Sequence, residues 1–190
     1  MLLYMIRHGE SLSNHIRGHA GWAQVPLTPL GIEQAQAAGE RLKDISFDRI
    51  ITSDLLRAKQ TCEFALPGCK YETNPLIREI NVGSLSGKTA VQCEELYGSS
   101  YVESKAIEDF TPFNGENRDT LLKRVTEFMT SAETFTEDTV AVFTHAGVLR
   151  AAFEFVTQAP RSRNRIYCGN CCIVVFEYLD NHWRLKSWNI

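Results

Sequence analysis

Two histidines in this sequence lie where an imidazole could do chemistry. His8 follows the apolar run 2–6 within the tripeptide Arg-His-Gly, and His145 follows a second apolar run at 139–144. Each run predicts a buried β-strand, because it is short and ends at polar residues. Ligands of α/β proteins bind beyond the carboxyl ends of the strands, so we expect both imidazoles to meet at one edge of a parallel sheet.

The charges beside the histidines indicate which ligand they would meet. Two imidazoles could hold a metal ion, since histidine is a common metal ligand. The neighbouring candidates are Arg7 and Arg57, however, and cations repel a divalent metal and attract an anion. Phosphate is the natural anion, because planar guanidinium groups match its oxygens. An imidazole held beside a phosphate ester could then attack the phosphorus atom.

Strands and helices alternate along the rest of the chain. We predict strands at residues 2–6, 48–52, 71–73, 139–144, 171–178 and 182–188. We predict helices at residues 29–43, 55–65, 91–96, 117–132 and 146 onwards, with Pro160 marking the exit from the last. This alternation implies an α/β fold, a three-layer α/β/α sandwich around a mostly parallel sheet. At 190 residues the chain suits a single domain, residues 1–190.

Local signals fix some of these boundaries better than others. Thr28 and Pro29 predict a helix start, as N-cap and first helical residue. Ser53 and Asp54 are expected to cap the next helix, and Asp180-Asn181 suits a hairpin turn. Residues 74–113 lack regular periodicity apart from one short helix, so we expect loop material for the active site there.

Composition excludes several classes of function. A net charge of −3 provides no basic field for nucleic acid. No apolar run reaches membrane-spanning length and the start is unlike a signal peptide, so we expect a cytoplasmic protein that does not bind membranes. The six cysteines are then expected to be reduced thiols. Cys168 and Cys171 form a CxxC, but no second ligand pair at zinc-site spacing accompanies them, and we predict neither a metal nor a cofactor.

Five ordered motifs together resemble the histidine phosphatase superfamily in its phosphoglycerate mutase-like branch. They are Arg7-His8-Gly9-Glu10 with Asn14; Pro26-Leu27-Thr28 with Gly31; Ser53 followed by Arg57-Ala58-Lys59-Gln60-Thr61; Glu79 ahead of Gly83; and Thr144-His145-Ala146-Gly147. The resemblance covers nearly the whole chain, and it implies the phosphoglycerate mutase-like fold.

The resemblance also implies a role for each residue of the site. His8 would be the nucleophile that forms a phosphohistidine, and Arg7, Arg57 and His145 would hold the phosphoryl oxygens. Glu79 would protonate the leaving alcohol and then deprotonate the attacking water, although Glu72, Glu94 and Glu95 lie in the same irregular region. Further contacts to phosphate or substrate would come from Asn14, Ala20, Gly21 and Ala146.

Departures from the family's pattern bear on the reaction. Residues 82–87 match a Gly-x-Leu-x-Gly element of the mutases, but Val82 stands where the mutases have tyrosine. The mutases also carry a basic insert that holds a second phosphate, whereas residues 92–109 here are acidic, with Lys105 as the single lysine. We therefore expect a phosphatase acting on a small phosphorylated metabolite. A cofactor-dependent phosphoglycerate mutase and a non-catalytic phospholigand-binding protein are the alternatives, and the oligomeric state, including a homodimer, stays open.

Overall fold

A six-stranded mixed sheet forms the centre of the computed structural model, which describes residues 1–159 and 166–190. The strands are β1 (Leu2–Arg7), β2 (Arg49–Thr52), β3 (Glu72–Thr73), β4 (Thr139–Thr144), β5 (Ile173–Leu179) and β6 (His182–Trp188). Their order is β3-β2-β4-β1-β5-β6. The first four strands are parallel, while β5 and β6 run antiparallel to their neighbours.

Helices cover both faces of this sheet, which confirms the predicted three layers. The helices are α1 (Leu12–His15), α2 (Pro29–Leu42), α3 (Leu56–Ala65), α4 (Ala90–Tyr97), α5 (Ser99–Ile107), α6 (Arg118–Ala132) and α7 (Ala146–Thr157). Because side chains alternate along a strand, Leu3 and Met5 of β1 pack toward α6 and α7, whereas Ile6 packs toward α2 and α3. No helix of the described residues is long and apolar enough to cross a membrane.

The predicted helix start at Thr28 is confirmed, and so is the start of the long helix α6. Thr28 Oγ1 accepts a hydrogen bond from the Gly31 amide at 3.0 Å, with Pro29 in the first turn of α2. Asn117 Oδ1 accepts from the Thr120 amide at 2.9 Å. Each cap satisfies an amide that the first turn of a helix leaves without a backbone partner.

The prediction that Ser53 and Asp54 cap α3 is wrong. The helix begins one residue later than predicted, at Leu56, with Leu55 as its N-cap and no side-chain cap bond. Asp54 instead forms a two-pronged ion pair with the Arg78 guanidinium. Ser53 turns to the active site, and the Leu56 amide donates to Gln24 Oε1 at 2.8 Å. Contacts with residues distant in the sequence thus replace the predicted capping hydrogen bonds.

Residues 74–113 are more ordered than predicted, and the expectation of a single helix there is wrong. Gly98, with φ of 55°, separates α4 from α5, which the sequence analysis missed. In α5 only Tyr101 and Ser104 are buried, so the helix has too narrow an apolar face to show a clear 3.6-residue period. The region packs around a small core of its own: Val82, Leu85, Cys93, Tyr101, Phe110 and Phe113.

The C-terminal hairpin follows the prediction closely. Asp180 and Asn181 both adopt left-handed φ values, 52° and 61°, which suits a two-residue turn between β5 and β6. Strand β5 lies between β1 and β6, so residues 174–177 are paired on both sides. The six cysteines all lie within the described residues and form no disulfide there.

Candidate active site

The two histidines predicted to do chemistry lie side by side at one edge of the sheet. Strands β1 and β4 pair in register up to Arg7 and Thr144, and the His8 amide donates to the Thr144 carbonyl at 2.9 Å. The imidazole centroids of His8 and His145 are 5.1 Å apart. Both side chains are buried, with 4% of His8 and none of His145 exposed.

The turn after His8 is seated tightly against the start of α2. The Gly9 amide donates to Thr61 Oγ1 at 3.0 Å. A Cβ atom on Gly9 would lie 2.4 Å from the Gly31 carbonyl oxygen, and one on Gly31 would lie 2.0 Å from the Glu10 carbonyl oxygen. Both distances are far inside van der Waals contact, so the chain can pass here only with glycine at both positions.

Hydrogen bonds define which nitrogen of His8 can react. Nδ1 lies 2.7 Å from the Gly9 carbonyl oxygen, which can only accept, so Nδ1 carries the proton. Arg57 Nε donates to Nε2 at 3.2 Å. Burial, followed by the nearby charges of Arg57 and Arg7, holds the pKa of His8 well below its usual value. The imidazole is therefore neutral at pH 7, with its lone pair on Nε2.

Arg57 is a fully buried cation beside this lone pair. Its guanidinium donates to the Gly21 carbonyl at 2.8 Å and to the Ala23 carbonyl at 3.2 Å. Burial lowers the pKa of Arg57 to about 10, which still leaves it charged at pH 7. The Arg57 side chain thus connects the His8 ring to the loop that follows α1.

Arg7 brings a second cation to the same place. Its NH1 group donates to the Cys168 carbonyl at 2.5 Å, whereas its buried Nε has no partner among the described residues. Burial lowers the pKa of Arg7, and a buried cation with an unused donor favours an anion nearby.

The Ser53 hydroxyl contacts the imidazole of His145. The Leu55 amide donates to Ser53 Oγ at 3.4 Å, and Oγ lies 2.9 Å from His145 Nε2. If the hydroxyl donates to Nε2, the ring hydrogen lies on Nδ1, which has no partner within the described residues. Burial and three arginine charges keep the pKa of His145 well below its usual value. His145 is therefore a neutral N–H donor.

Glu79 is held by the first turn of α7. Its Oε2 accepts from the Gly147 amide at 3.2 Å and its Oε1 from the Ile80 amide at 2.9 Å. A Cβ atom on Gly147 would lie 2.1 Å from Glu79 Oε1, so glycine permits this close approach.

A cavity of about 260 Å³ joins seven of the nine site residues named from the sequence. These are Arg7, His8, Asn14, Ala20, Gly21, Arg57 and Glu79. His145 and Ala146 do not line the cavity, and His145 lies against the ring of His8. Of the four glutamates considered as proton donor, Glu79 is the one in the cavity wall, while Glu72 pairs with Arg49 at the sheet edge.

Asn14 offers the cavity a donor. Its Oδ1 accepts from the Ser11 amide at 3.1 Å, from the Ser11 hydroxyl at 3.0 Å and from Asn170 Nδ2 at 3.5 Å. Because the amide oxygen is occupied, the NH₂ group is the part of Asn14 that can serve a ligand.

Several residues of the outer wall were missed by the sequence analysis. Among them are His19, Lys105, Glu108, Phe110 and Arg150. His19 lines the cavity, and its Nε2 lies 2.7 Å from the Tyr101 hydroxyl. No local pattern distinguishes it, since the partner lies 82 positions away.

Two charged residues of the acidic segment 92–109, one of each sign, reach the cavity wall. From that segment only Lys105, Glu108 and the adjoining Phe110 face it, and Arg150 of α7 adds another positive charge. Glu94, Glu95 and Glu103 are exposed elsewhere on α4 and α5. The two cations of the wall, Lys105 and Arg150, thus share it with one carboxylate from the acidic segment, Glu108.

A larger, open groove of about 980 Å³ lies elsewhere, between α2 and the loop after α3. Its lining includes Lys43, Glu40 and Glu63 but neither histidine nor arginine. It therefore lacks the nucleophile and the guanidinium groups that the smaller cavity combines. Within residues 1–159 and 166–190, no group of three or more His, Cys, Asp or Glu is arranged to hold a metal ion.

Comparison with known proteins gives a consistent result. The family model for the histidine phosphatase superfamily (branch 1) matches residues 3–190. A curated relative from Proteus mirabilis, named "Probable phosphoglycerate mutase GpmB", is 29% identical over 196 aligned positions, covering 99% of this chain and 90% of its own.

Two solved structures show the same fold. The alpha-ribazole phosphatase from Shigella flexneri superposes with a TM-score of 0.90 at 26% identity, covering 100% of this chain and 96% of its own. A phosphoserine phosphatase variant from Entamoeba histolytica, in complex with phosphoserine, superposes with a TM-score of 0.82 at 26% identity, over 99% and 96% of the two chains.

Proposed function

Because the chain belongs to the histidine phosphatase superfamily (branch 1), we propose that it hydrolyses a small phosphomonoester through a phosphohistidine on His8. The observation that carries this proposal is the state of His8. A neutral imidazole with its lone pair on Nε2 sits in a cavity wall that also contains Arg7 and Arg57. That combination suits attack on a phosphorus atom whose oxygens are held by cations.

In the first step, Nε2 of His8 forms a bond to phosphorus as the bond from phosphorus to the ester oxygen breaks. The transferred phosphoryl group spreads negative charge over its oxygens, which Arg7, Arg57 and the Nδ1–H of His145 stabilise. Glu79 gives its proton to the departing alkoxide, so a neutral alcohol leaves. The hydrogen bond from Nδ1 to the Gly9 carbonyl supports the positive charge that the ring acquires.

In the second step, water attacks the phosphohistidine from the side that the alcohol has left. Glu79, now a carboxylate, takes a proton from that water, and the bond between phosphorus and Nε2 breaks. Inorganic phosphate and neutral His8 result, and Glu79 is protonated again. One carboxyl group can serve both steps, because the alcohol and the water occupy the same position.

The same proposal includes independence from metal ions and organic cofactors. It is supported by the donor set, in which arginine and histidine nitrogens replace the oxygen ligands that Mg²⁺ prefers. We further propose a cytoplasmic enzyme, supported by the six cysteines that form no disulfide among the described residues.

A cofactor-dependent phosphoglycerate mutase is the second candidate. It is favoured by the name of the Proteus mirabilis relative and by the two cations, Lys105 and Arg150, in the outer wall. A mutase would return the phosphoryl group from His8 to the substrate and would release little phosphate.

One experiment with a panel of substrates distinguishes the phosphatase, the mutase and a non-catalytic binding protein. Phosphomonoesters, including 3-phosphoglycerate, are incubated with the protein in the presence and absence of a chelator, and both phosphate and isomerised ester are measured. We expect phosphate release that the chelator does not affect. Rapid interconversion of 2- and 3-phosphoglycerate with negligible phosphate release would establish the mutase, and tight ester binding without turnover would indicate a binding protein.

A further inference from the structure

Arg124, on α6, uses its whole guanidinium group to hold one irregular segment of chain. Nε and NH2 donate to the Glu116 carboxylate at 3.0 Å each, and NH2 also donates to the Glu79 carbonyl at 2.9 Å. NH1 donates to the carbonyls of Leu76, at 2.8 Å, and of Arg78, at 2.5 Å. These five bonds engage all five N–H donors that an arginine possesses.

The segment that Arg124 holds contains the proposed proton donor. Four successive carbonyls, of residues 76–79, accept hydrogen bonds from side chains, because Thr144 Oγ1 donates to the Ile77 carbonyl at 2.8 Å. The Glu79 carbonyl accepts a second bond from Trp22 Nε1 at 2.7 Å. Only a short 3₁₀ turn, Pro75–Ile77, gives the segment structure of its own. Its position therefore depends on these side chains.

Glu116 extends the same support beyond Glu79. Its Oε2 accepts from the Asn81 amide at 2.8 Å, and its own amide donates to the Asn81 carbonyl at 2.8 Å. The side chains of Arg124 and Glu116 are each only 12% exposed. A buried pair of this kind is costly to break, since the remaining charge loses its partner.

We propose that Arg124 and Glu116 are positioning residues that place the carboxyl group of Glu79 for proton transfer to the leaving oxygen. The inference rests on the proposed function. Neither residue lines the cavity, so both act through the backbone on either side of Glu79. A misplacement of about 1 Å by a distant change can lower a rate by about 10²-fold.

Two esters with different leaving groups distinguish a positioning role from a merely structural one. Loss of positioning should slow the two reactions unequally, whereas a general loss of structure should slow both alike. Glycerol 3-phosphate releases an alkoxide, which needs a proton from Glu79 as the bond breaks. p-Nitrophenyl phosphate releases a stabilised phenolate, which needs far less help. Comparison through kcat/KM restricts the measurement to phosphoryl transfer onto His8, because the later hydrolysis does not enter that ratio.

Arg124→Lys is the principal variant, since lysine keeps the charge but cannot supply the planar five-donor group. We expect kcat/KM for glycerol 3-phosphate to fall by about 10- to 100-fold and kcat/KM for p-nitrophenyl phosphate to fall by less than about threefold. Glu116→Gln, which keeps the shape of the side chain, should give a smaller change in the same direction. Arg118→Lys is the matched control, because Arg118 also lies on α6 and pairs with a glutamate, Glu154, away from Glu79.

A double-mutant cycle completes the test. Glu79→Gln should lower kcat/KM for glycerol 3-phosphate strongly in the otherwise unchanged protein and only slightly in the Arg124→Lys background, because the carboxyl group there is already misplaced. Equal losses for both esters, or additive losses in the cycle, would overturn the positioning role and leave the proposed function intact. If the unchanged protein hydrolyses neither ester, the proposed function fails and the positioning role with it.

Discussion

The two halves of the cavity are built in different ways. The inner half consists of Arg7, His8 and Arg57, with His145 packed against the ring of His8, and the two imidazoles contact Gly9 and Ser53. The outer half is formed by residues 79–110 and by Arg150, on 3₁₀ turns and short helices around a separate small core. The inner half is placed by the sheet that the whole chain shares, whereas the outer half is placed by particular long-range side-chain contacts. The inner half is suited to chemistry that a whole family shares, whereas the outer half is suited to recognition of one particular substrate.

The largest expected effect is at the inner half. His8→Ala should abolish both the phosphoenzyme and turnover, because it removes the imidazole whose Nε2 lies beside the Arg57 guanidinium in the cavity wall. The measurement is trapping with labelled substrate, quenching in base, which preserves phosphohistidine, and mapping of the labelled peptide. Label on the peptide that contains His145, or on a serine or cysteine, would contradict the assignment of the nucleophile.

His145→Ala should have a smaller effect on the same step. The variant loses one donor to the transferred phosphoryl group but keeps the nucleophile, so we expect the rate of phosphoenzyme formation to fall by about 10²- to 10³-fold. Rapid-quench kinetics would measure it. Ser53→Ala should produce part of this loss, because the hydrogen bond that orients the His145 ring is removed. An unchanged rate in Ser53→Ala would show that the ring does not need this hydrogen bond.

Arg150→Gln tests whether the outer half recognises charge. The guanidinium lines the cavity, its Nε makes a long bond of 3.4 Å to the Ile166 carbonyl, and no described carboxylate pairs with it. We expect kcat/KM for 3-phosphoglycerate to fall by about tenfold, since a hydrogen bond to a charged group is lost. Glycerol 3-phosphate, which lacks the carboxylate, should change by less than about twofold. Arg184→Gln, on β6, controls for the change in net charge.

The smallest expected effect is on the pH dependence of the free energy of unfolding, which reports whether His8 and His145 are buried and neutral. The pKa values of His8 and His145 lie well below the usual value of about 6.5 that applies in the unfolded chain. Below that pH the unfolded chain binds protons that the folded protein excludes, so the free energy of unfolding falls as the pH falls. Each histidine adds a slope of up to about 1.4 kcal/mol per pH unit.

Urea unfolding between pH 7 and pH 5.5 would measure this slope. His8→Gln and His145→Gln should each flatten the dependence, because a non-titrating side chain replaces a buried imidazole. His182→Gln provides the control, since His182 is exposed on the hairpin. A slope that is unchanged in both active-site variants would contradict the neutral, buried state assigned to these rings.

The same contrast explains what the sequence could predict. The strands ending at Arg7 and Thr144 are continuous apolar runs, and the caps at Thr28 and Asn117 act within three residues. Such features are local, and local patterns identify them. The error at Ser53 and Asp54 arose because both residues satisfy a local cap rule but find better partners in His145 and Arg78.

Residues of the outer half left no local signal. Lys105 lies in an acidic segment, and only the packing of Tyr101 into a separate core turns it toward the cavity. Arg124 resembles any other charge on an amphipathic helix until its five acceptors, which lie 8 to 48 positions away, are known. Sequence periodicity describes which face of an element is buried and carries no information about such pairings.

The contact between Gly9 and Gly31 constrains how this enzyme can change over evolutionary time. A side chain at either position would collide with backbone, so a random-mutagenesis library should contain almost no active clones altered there. Exposed positions beside the outer wall have no such barrier. New substrate ranges should therefore arise by drift at exposed positions of residues 84–110, while the glycine pair stays fixed and keeps His8 in place in every descendant.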